Sequence, residues 1–196
     1  MVGAPLAGDV AVFVLAWNES EVIADTLAHA LAAWPQDNIR IYVGCYRNDP
    51  QTIEAAMRAA PGDARLRLVV HGRAGPSTKA DCLNRLYQAM RSDEGRGGFY
   101  PRMVLFHDAE DMVDPAALNL LDEAIGDADF VQLPVLALPQ RDSRSLEYHF
   151  ARTPNYVSQS SRHQRKCGLQ LLSQPNCLLC SCRSECGQKA MGKPDM

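Results

Sequence analysis

Five short apolar runs, at residues 10–16, 39–45, 66–70, 103–106 and 130–135, alternate with segments of helical period. Short apolar runs bounded by polar loops read as buried strands, and the longer periodic segments between them read as helices. Strand–helix–strand repeats close as a mostly parallel sheet covered by helices, with right-handed crossovers. The predicted fold class is therefore α/β.

The helix starts carry local signals. Asn18-Glu19-Ser20-Glu21 reads as a capping box with Asn18 at the N-cap, followed by Val22, Ile23, Leu27, Ala30, Leu31 and Trp34 at helical spacing. Asp49-Pro50 and Asp114-Pro115 each set an Asp to cap a helix and a Pro at its first position, predicting helices over about 50–60 and 116–125. A third helix is expected over about 77–91, followed by a polar, Gly-rich loop over 92–100.

Past about residue 141 the periodicity fails. The sequence predicts one folded domain over 1–145 and an irregular, disordered, Cys-rich tail over 146–196. Charge divides at nearly the same place: residues 1–150 carry 13 Lys and Arg against 21 Asp and Glu, and residues 151–196 carry seven against two. An acidic body argues against nucleic acid as a partner. Cys45 and Cys82 are the body's two thiols, as expected of a reduced cytosolic protein. The tail spacing Cys177-x2-Cys180-x-Cys182-x3-Cys186 lacks two separated ligand pairs and reads as adventitious rather than as a zinc site. No apolar run is long enough to span a membrane, and the first 16 residues do not form a signal peptide, so a cytoplasmic location is expected.

The fourth apolar run ends abruptly in acid: Val104-Leu105-Phe106-His107-Asp108-Ala109-Glu110-Asp111. Ligands of α/β folds sit at strand ends. Asp108 and Glu110 are two apart and point to one side of an extended chain, where they can hold one hard divalent cation that bridges to a diphosphate. At the end of the first strand, Trp17, Asn18 and Glu19 either frame a nucleotide base or serve only to cap and cover. Asp49 is an N-cap that could also touch a nucleotide. Lys79, at the start of the third helix, and Arg73 before it suit a diphosphate. The turn after the first strand has no glycine, which excludes a dinucleotide fingerprint. The spacing from Gly72 to Lys79 likewise excludes a Walker A loop.

Taken in order, Ala16-Trp17-Asn18-Glu19, Lys79-Ala80-Asp81-Cys82-Leu83-Asn84 and Asp108-Ala109-Glu110-Asp111 resemble the motifs of family 2 glycosyltransferases of the GT-A fold. Four longer strings are similar to one branch, inner-membrane glycosyltransferases of the bacteriophage adsorption protein B type. They are Val43-Gly44-Cys45-Tyr46-Arg47-Asn48-Asp49-Pro50, Gly75-Pro76-Ser77-Thr78 leading into Lys79, His107-Asp108-Ala109-Glu110-Asp111, and Gln132-Leu133-Pro134-Val135.

The resemblance spans about residues 9–140. It implies a nucleotide-sugar donor (UDP-sugars included), Mn²⁺ or Mg²⁺, and inverting transfer to a saccharide or lipid-linked hydroxyl. On that reading Trp17, Asn18, Glu19, Asp49, Lys79 and Asp108 meet the donor, and Asp108 and Glu110 hold the metal.

The chain departs from the family pattern in three places. Gly44-Cys45 stands where the family has an acidic pair, and the D-x-D motif reads D-x-E. Beyond Asp142 the acids are Glu147, Glu185 and Asp195, none in the family's catalytic context. The expectation is a donor-binding half without its catalytic base, working at the inner face of the inner membrane. A non-enzymatic partner-binding module and a metal-dependent phosphoryl-transfer enzyme stand as alternatives.

Overall fold

The structure, a computed structural model, describes residues 3–133 and the two-residue strand Leu179–Cys180. Four parallel strands, β1 (Asp9–Leu15), β2 (Ile39–Tyr46), β3 (Leu66–His71) and β4 (Pro101–Asp108), form the sheet in the order β3-β2-β1-β4, and β5 (Leu179–Cys180) lies antiparallel along β4. Helices α1 (Ile23–Ala33), α2 (Pro50–Ala59), α3 (Lys79–Gly97) and α4 (Ala117–Ala124) connect or follow the strands. The α/β class read from the alternation is thus the observed one. Among the described residues no helix is long and apolar enough to cross a membrane.

The period of two along β1 divides the core. Val10, Val12 and Val14 face α1, α2 and α4, packing with Ile23, Leu27, Ala55 and Leu118. Ala11 and Phe13 face the other way, toward Leu86 and Met90 of α3. Both faces are covered over the central strand β1, so it reads as an unbroken apolar run rather than an alternating one. On the α3 side, Phe13 meets Tyr42 and Phe106 edge-on, each at 5.8 Å between ring centroids.

Two tertiary contacts do what local signals do not. Helix α1 ends without a basic residue in its last turn. Arg65, just before β3, supplies the missing donors: Nη1 donates to Trp34 O at 2.7 Å and Nη2 to Leu31 O at 3.3 Å, while Asp63 holds the guanidinium from the other side at 2.7 Å. Gly44 of β2 lies directly under α3. A Cβ there would fall 2.7 Å from Cys82 Sγ and 3.2 Å from Leu86 Cδ2, so only glycine lets the helix approach the sheet this closely.

Several expectations are corrected. Asn18 is not the N-cap of α1, and the capping box does not form. Asn18 takes a left-handed conformation, φ 61°, and the helix begins after Val22 with no side-chain cap. Its backbone N–H is drawn instead to Asp49, a partner far away in sequence. Helix α3 does not end near Arg91 but continues through the segment read as a loop, closing at Gly98, φ 66°. The carboxylate of Asp93 explains the extension: it accepts from the Tyr42 hydroxyl at 3.0 Å and from Arg67 Nε at 3.3 Å, and pairs with Arg40 at 3.4 Å, tying the helix to β2 and β3.

Asp114 does not cap α4, whose N-cap is Ala116. Its carboxylate accepts from Ala116 N at 2.7 Å, closing a turn one step earlier. Residues 130–133 of the run predicted as a fifth strand are not in the sheet, and residues 134–135 lie outside the described residues. The position beside β4 belongs to β5. The predicted disorder and cysteine reading of residues 146–196 lie outside the described residues, the pair 179–180 apart.

Candidate functional site

The chain leaves β1 to build β2 and β3 on one side and returns to place β4 on the other. Such a switch point opens a crevice beyond the carboxyl ends of the two strands that part there. Leu15 and Asp108 are paired in register, so the loop after β1 and the acidic end of β4 begin side by side. The crevice brings together Asn18 and Glu19 from the first with Asp108, Glu110 and Asp111 from the second.

The β1 loop is held from α2. Asp49 caps that helix, with Oδ1 accepting from Thr52 N at 3.3 Å, as Asp-Pro predicts. Its Oδ2 accepts from Asn18 N at 2.6 Å, and Thr52 Oγ1 accepts from Glu19 N at 3.0 Å. Burial opposes the charge on Asp49, but the hydrogen bonds from Asn18 and Thr52 prevail and hold its carboxyl below the usual range. Asp49 is 9% exposed and spends both oxygens within the chain.

At the end of β4 the backbone turns. Asp111 N donates to Asp108 O at 3.2 Å, and the Asp111 carboxylate accepts from Asp108 N at 3.2 Å. Lys79, the first residue of α3, reaches across so that Nζ lies 2.8 Å from Asp108 Oδ1. Glu19 feels the crowding. Burial, then the charges of Glu110, Asp49 and Asp108, push its carboxyl above the ordinary value. Burial also raises Asp111, with the Asp108 charge adding and Lys79 opposing. His107, one residue before this cluster, adds no positive charge at neutral pH: burial brings it down to about 4 against the pull of Asp108. The mouth is thus acidic beyond what Lys79 neutralises. Among the described residues, no three His, Cys, Asp or Glu side chains are placed to hold a metal ion by themselves.

Aromatic rings border the crevice on the β2 side. Trp17 meets Tyr46 edge-on at 5.3 Å, and Tyr46 stacks on His71 at 5.2 Å and 21°. The loop before α3 lies over Tyr46. Asn48 clamps it by donating from Nδ2 to Gly75 O at 3.0 Å and accepting from Gly75 N at 2.7 Å. A Cβ on Gly75 would fall 2.4 Å from the Tyr46 ring. Ser77 Oγ lies 2.8 Å from the Tyr46 hydroxyl.

Of the residues singled out from sequence, Trp17, Asn18, Glu19, Asp49, Lys79, Asp108 and Glu110 all lie around the ends of β1, β2 and β4. Arg73 is exposed and lines a different cavity, with His71. Sequence reasoning missed Thr52, Tyr46 and the Asn48–Gly75 clamp. The glycine and proline at 75–76 were the available signal for a loop that must pass close to a ring.

A four-stranded parallel sheet whose switch point gathers acidic side chains defines an α/β protein. More specifically, the chain belongs to the family described as glycosyltransferase like family 2, whose profile matches residues 7–177. Membership carries with it the GT-A class that the order of motifs implied.

Two curated relatives from Escherichia coli are bacteriophage adsorption protein B of strain K12 and bacteriophage N4 adsorption protein B of O157:H7. Each is 35% identical to this chain over 125 residues, covering 64% of the chain and 17% of the relative. The chain therefore spans less than a fifth of the length of these relatives, which are of the branch that its motif strings resemble. Among solved structures, a mannosyltransferase from Pyrobaculum calidifontis in complex with GDP-Man and Mn²⁺ is 21% identical, with a TM-score of 0.48, over 65% of this chain and 37% of its own. S. aureus TarS in complex with UDP-GlcNAc is 18% identical, with a TM-score of 0.46, over 67% and 37%.

Proposed function

We propose that the chain binds a nucleotide-sugar donor together with a divalent cation, in the service of glycosyl transfer to a hydroxyl acceptor. The observation that carries this reading is the meeting of Glu19, Asp108 and Glu110 at the switch point with Lys79 Nζ 2.8 Å from Asp108 Oδ1. A diphosphate approaching so acidic a mouth is repelled unless further positive charge comes with it. Mg²⁺ and similar ions are commonly held by one or two carboxylates, with substrate phosphates and water completing the shell. Asp108 and Glu110 fit that pattern. A bound Mn²⁺ or Mg²⁺ supplies the charge that offsets a diphosphate in the ground state and as it leaves.

The chain's own residues have separate tasks. Lys79 pairs with Asp108 and can turn to a phosphate oxygen. Trp17 offers a ring edge to the base side of the crevice. Asp49 fixes the loop that carries Asn18 and Glu19. Inverting transfer also needs a general base within hydrogen-bond reach of the acceptor. Asp111 is committed to the turn it closes, and the acids beyond Asp142 are Glu147, Glu185 and Asp195. Donor binding is therefore proposed to exceed turnover in this chain.

The test is calorimetric titration with UDP, with and without Mn²⁺, on the wild type and Glu110→Ala. Binding should depend on the cation and weaken by about tenfold or more in the variant. Equal affinity in the two proteins removes the cation from Glu110.

A further inference from the structure

Helix α1 grips the acidic turn after β4 on both sides of Glu110. Before the turn, the ring of His107 lies 5.7 Å from that of Trp34, tilted by 59°. After it, Trp34 Nε1 donates to Asp114 O at 3.2 Å, and His29 Nε2 donates to Val113 O at 2.8 Å. A carbonyl only accepts, so the His29 ring carries a proton on Nε2. Neutral or protonated, the ring keeps that donor. The facing loop, with Asn18 and Glu19, hangs instead from Asp49 and Thr52 of α2. The two walls of the switch point are thus fixed by two different helices.

Trp34 is fully buried, and its contacts belong to the core. His29 is half-buried and belongs to neither apolar cluster. What it holds is the far end of a short span. Asp108 is fixed by its register with Leu15, and Val113 is fixed by His29. Between them the chain runs Ala109-Glu110-Asp111-Met112, with Asp111 N closing the turn onto Asp108 O. Glu110 is exposed, so its place depends on the backbone that carries it. A span tied at both ends has less freedom left to lose when a ligand orders it.

We propose that His29 is a positioning residue for Glu110. Its hydrogen bond to Val113 O fixes the acidic turn, so that Glu110 meets a cation arriving with a diphosphate without further ordering. The inference rests on the donor reading above and adds to it a residue that acts only through the backbone.

Calorimetry with UDP, with and without Mn²⁺, tests it on wild type, His29→Ala, His29→Gln, Glu110→Ala and the double variant of His29→Ala with Glu110→Ala. His29→Ala should weaken Mn²⁺-dependent binding by about three- to tenfold. The side-chain amide of glutamine can donate from nearly the same place as Nε2, so His29→Gln should bind as wild type does. Binding of UDP without Mn²⁺ should be the same in wild type and both His29 variants. The double variant should lose no more than Glu110→Ala alone, because nothing remains for His29 to place. In the protein without ligand, amide exchange at Asp111 should quicken in His29→Ala but not in His29→Gln. The proposal is overturned by wild-type binding in His29→Ala, by an equal loss in His29→Gln, by the same loss without Mn²⁺, by a further loss in the double variant, or by unchanged exchange at Asp111. Binding that needs Glu110 but not His29 removes this proposal alone. Wild-type binding that ignores Mn²⁺ removes the donor reading and this proposal with it.

Discussion

Gly44→Ala is the sharpest test of how the sheet and α3 fit together. The added Cβ would meet Cys82 Sγ at 2.7 Å and Leu86 Cδ2 and Cδ1 at 3.2 and 3.5 Å. Cys82 and Leu86 are 2% and 0% exposed, so neither side chain can swing into solvent. The helix must therefore lift or the thiol must shift its rotamer. Overpacking of this kind costs about 1–3 kcal/mol. Loss of glycine's freedom in the unfolded chain returns about 0.4–1 kcal/mol. The net expectation is a destabilisation of about 1–2 kcal/mol, or about 2–8 °C in melting temperature for a domain of this size.

Urea unfolding of four proteins measures it: wild type, Gly44→Ala, Cys82→Ala and the double variant. Shrinking Cys82 removes the nearest clash, so the double variant should be more stable than the sum of the two singles predicts, by about 1 kcal/mol. Additive effects, or a Gly44→Ala protein as stable as wild type, would show that α3 does not depend on the bare backbone at 44. The same contact explains a departure from the family pattern. An acidic side chain at 44 would have to occupy the space that α3 fills.

Asp49→Ala should cost about 1–2 kcal/mol for the lost cap and also loosen the loop at Asn18. Urea midpoints report the first effect and faster amide exchange at Asn18 the second; unchanged exchange there would separate the loop from α2. Hydrogen bonds from Arg65 hold the Asp63 carboxyl below its ordinary value, so its stabilisation is present above the unfolded-state value of about 3.9 and fades as pH falls through the lower folded value. The stability gap between wild type and Asp63→Asn should therefore be constant from pH 7 to 5 and close toward pH 2, and a gap that persists in acid would place the effect elsewhere. Burial, then the charges of Asp49 and Cys82, drive the Cys45 thiol up to about 12. Alkylation at pH 8 followed by peptide mapping should find Cys45 unmodified until urea is added, whereas rapid native labelling would mean that β2 opens.

The parts of this fold legible in the sequence are those with local causes. Asp49-Pro50 starts α2 as its chemistry dictates, because the cap lies three residues from the N–H it binds. The runs of β1 and β4 are apolar without alternation because helices cover both faces, whereas the edge strand β3 carries Arg67 and an exposed Val70. Asn18 was misread because its backbone partner, Asp49, comes from the next helix along, and no short window contains both. Helix α3 outlasts its propensity because Asp93 is anchored by Tyr42, Arg40 and Arg67 on two strands. In the site, the acids of β4 were visible as charges without a capping task. The Asn48–Gly75 clamp was not visible, since it depends on how the loop before α3 lies over Tyr46.

The place of β4 beside β1 also has a consequence during synthesis. The strands β1, β2 and β3 can pair as they emerge, whereas β4 is made only after α3 and must slot in along the open side of β1. Until then Glu19 stands apart from Asp108 and Glu110, and the repulsion among them does not exist. Pairing of β4 with β1 is thus what gathers the negative charge at the mouth. Ions present in the surrounding solution should speed that late step while leaving the pairing of the first three strands untouched.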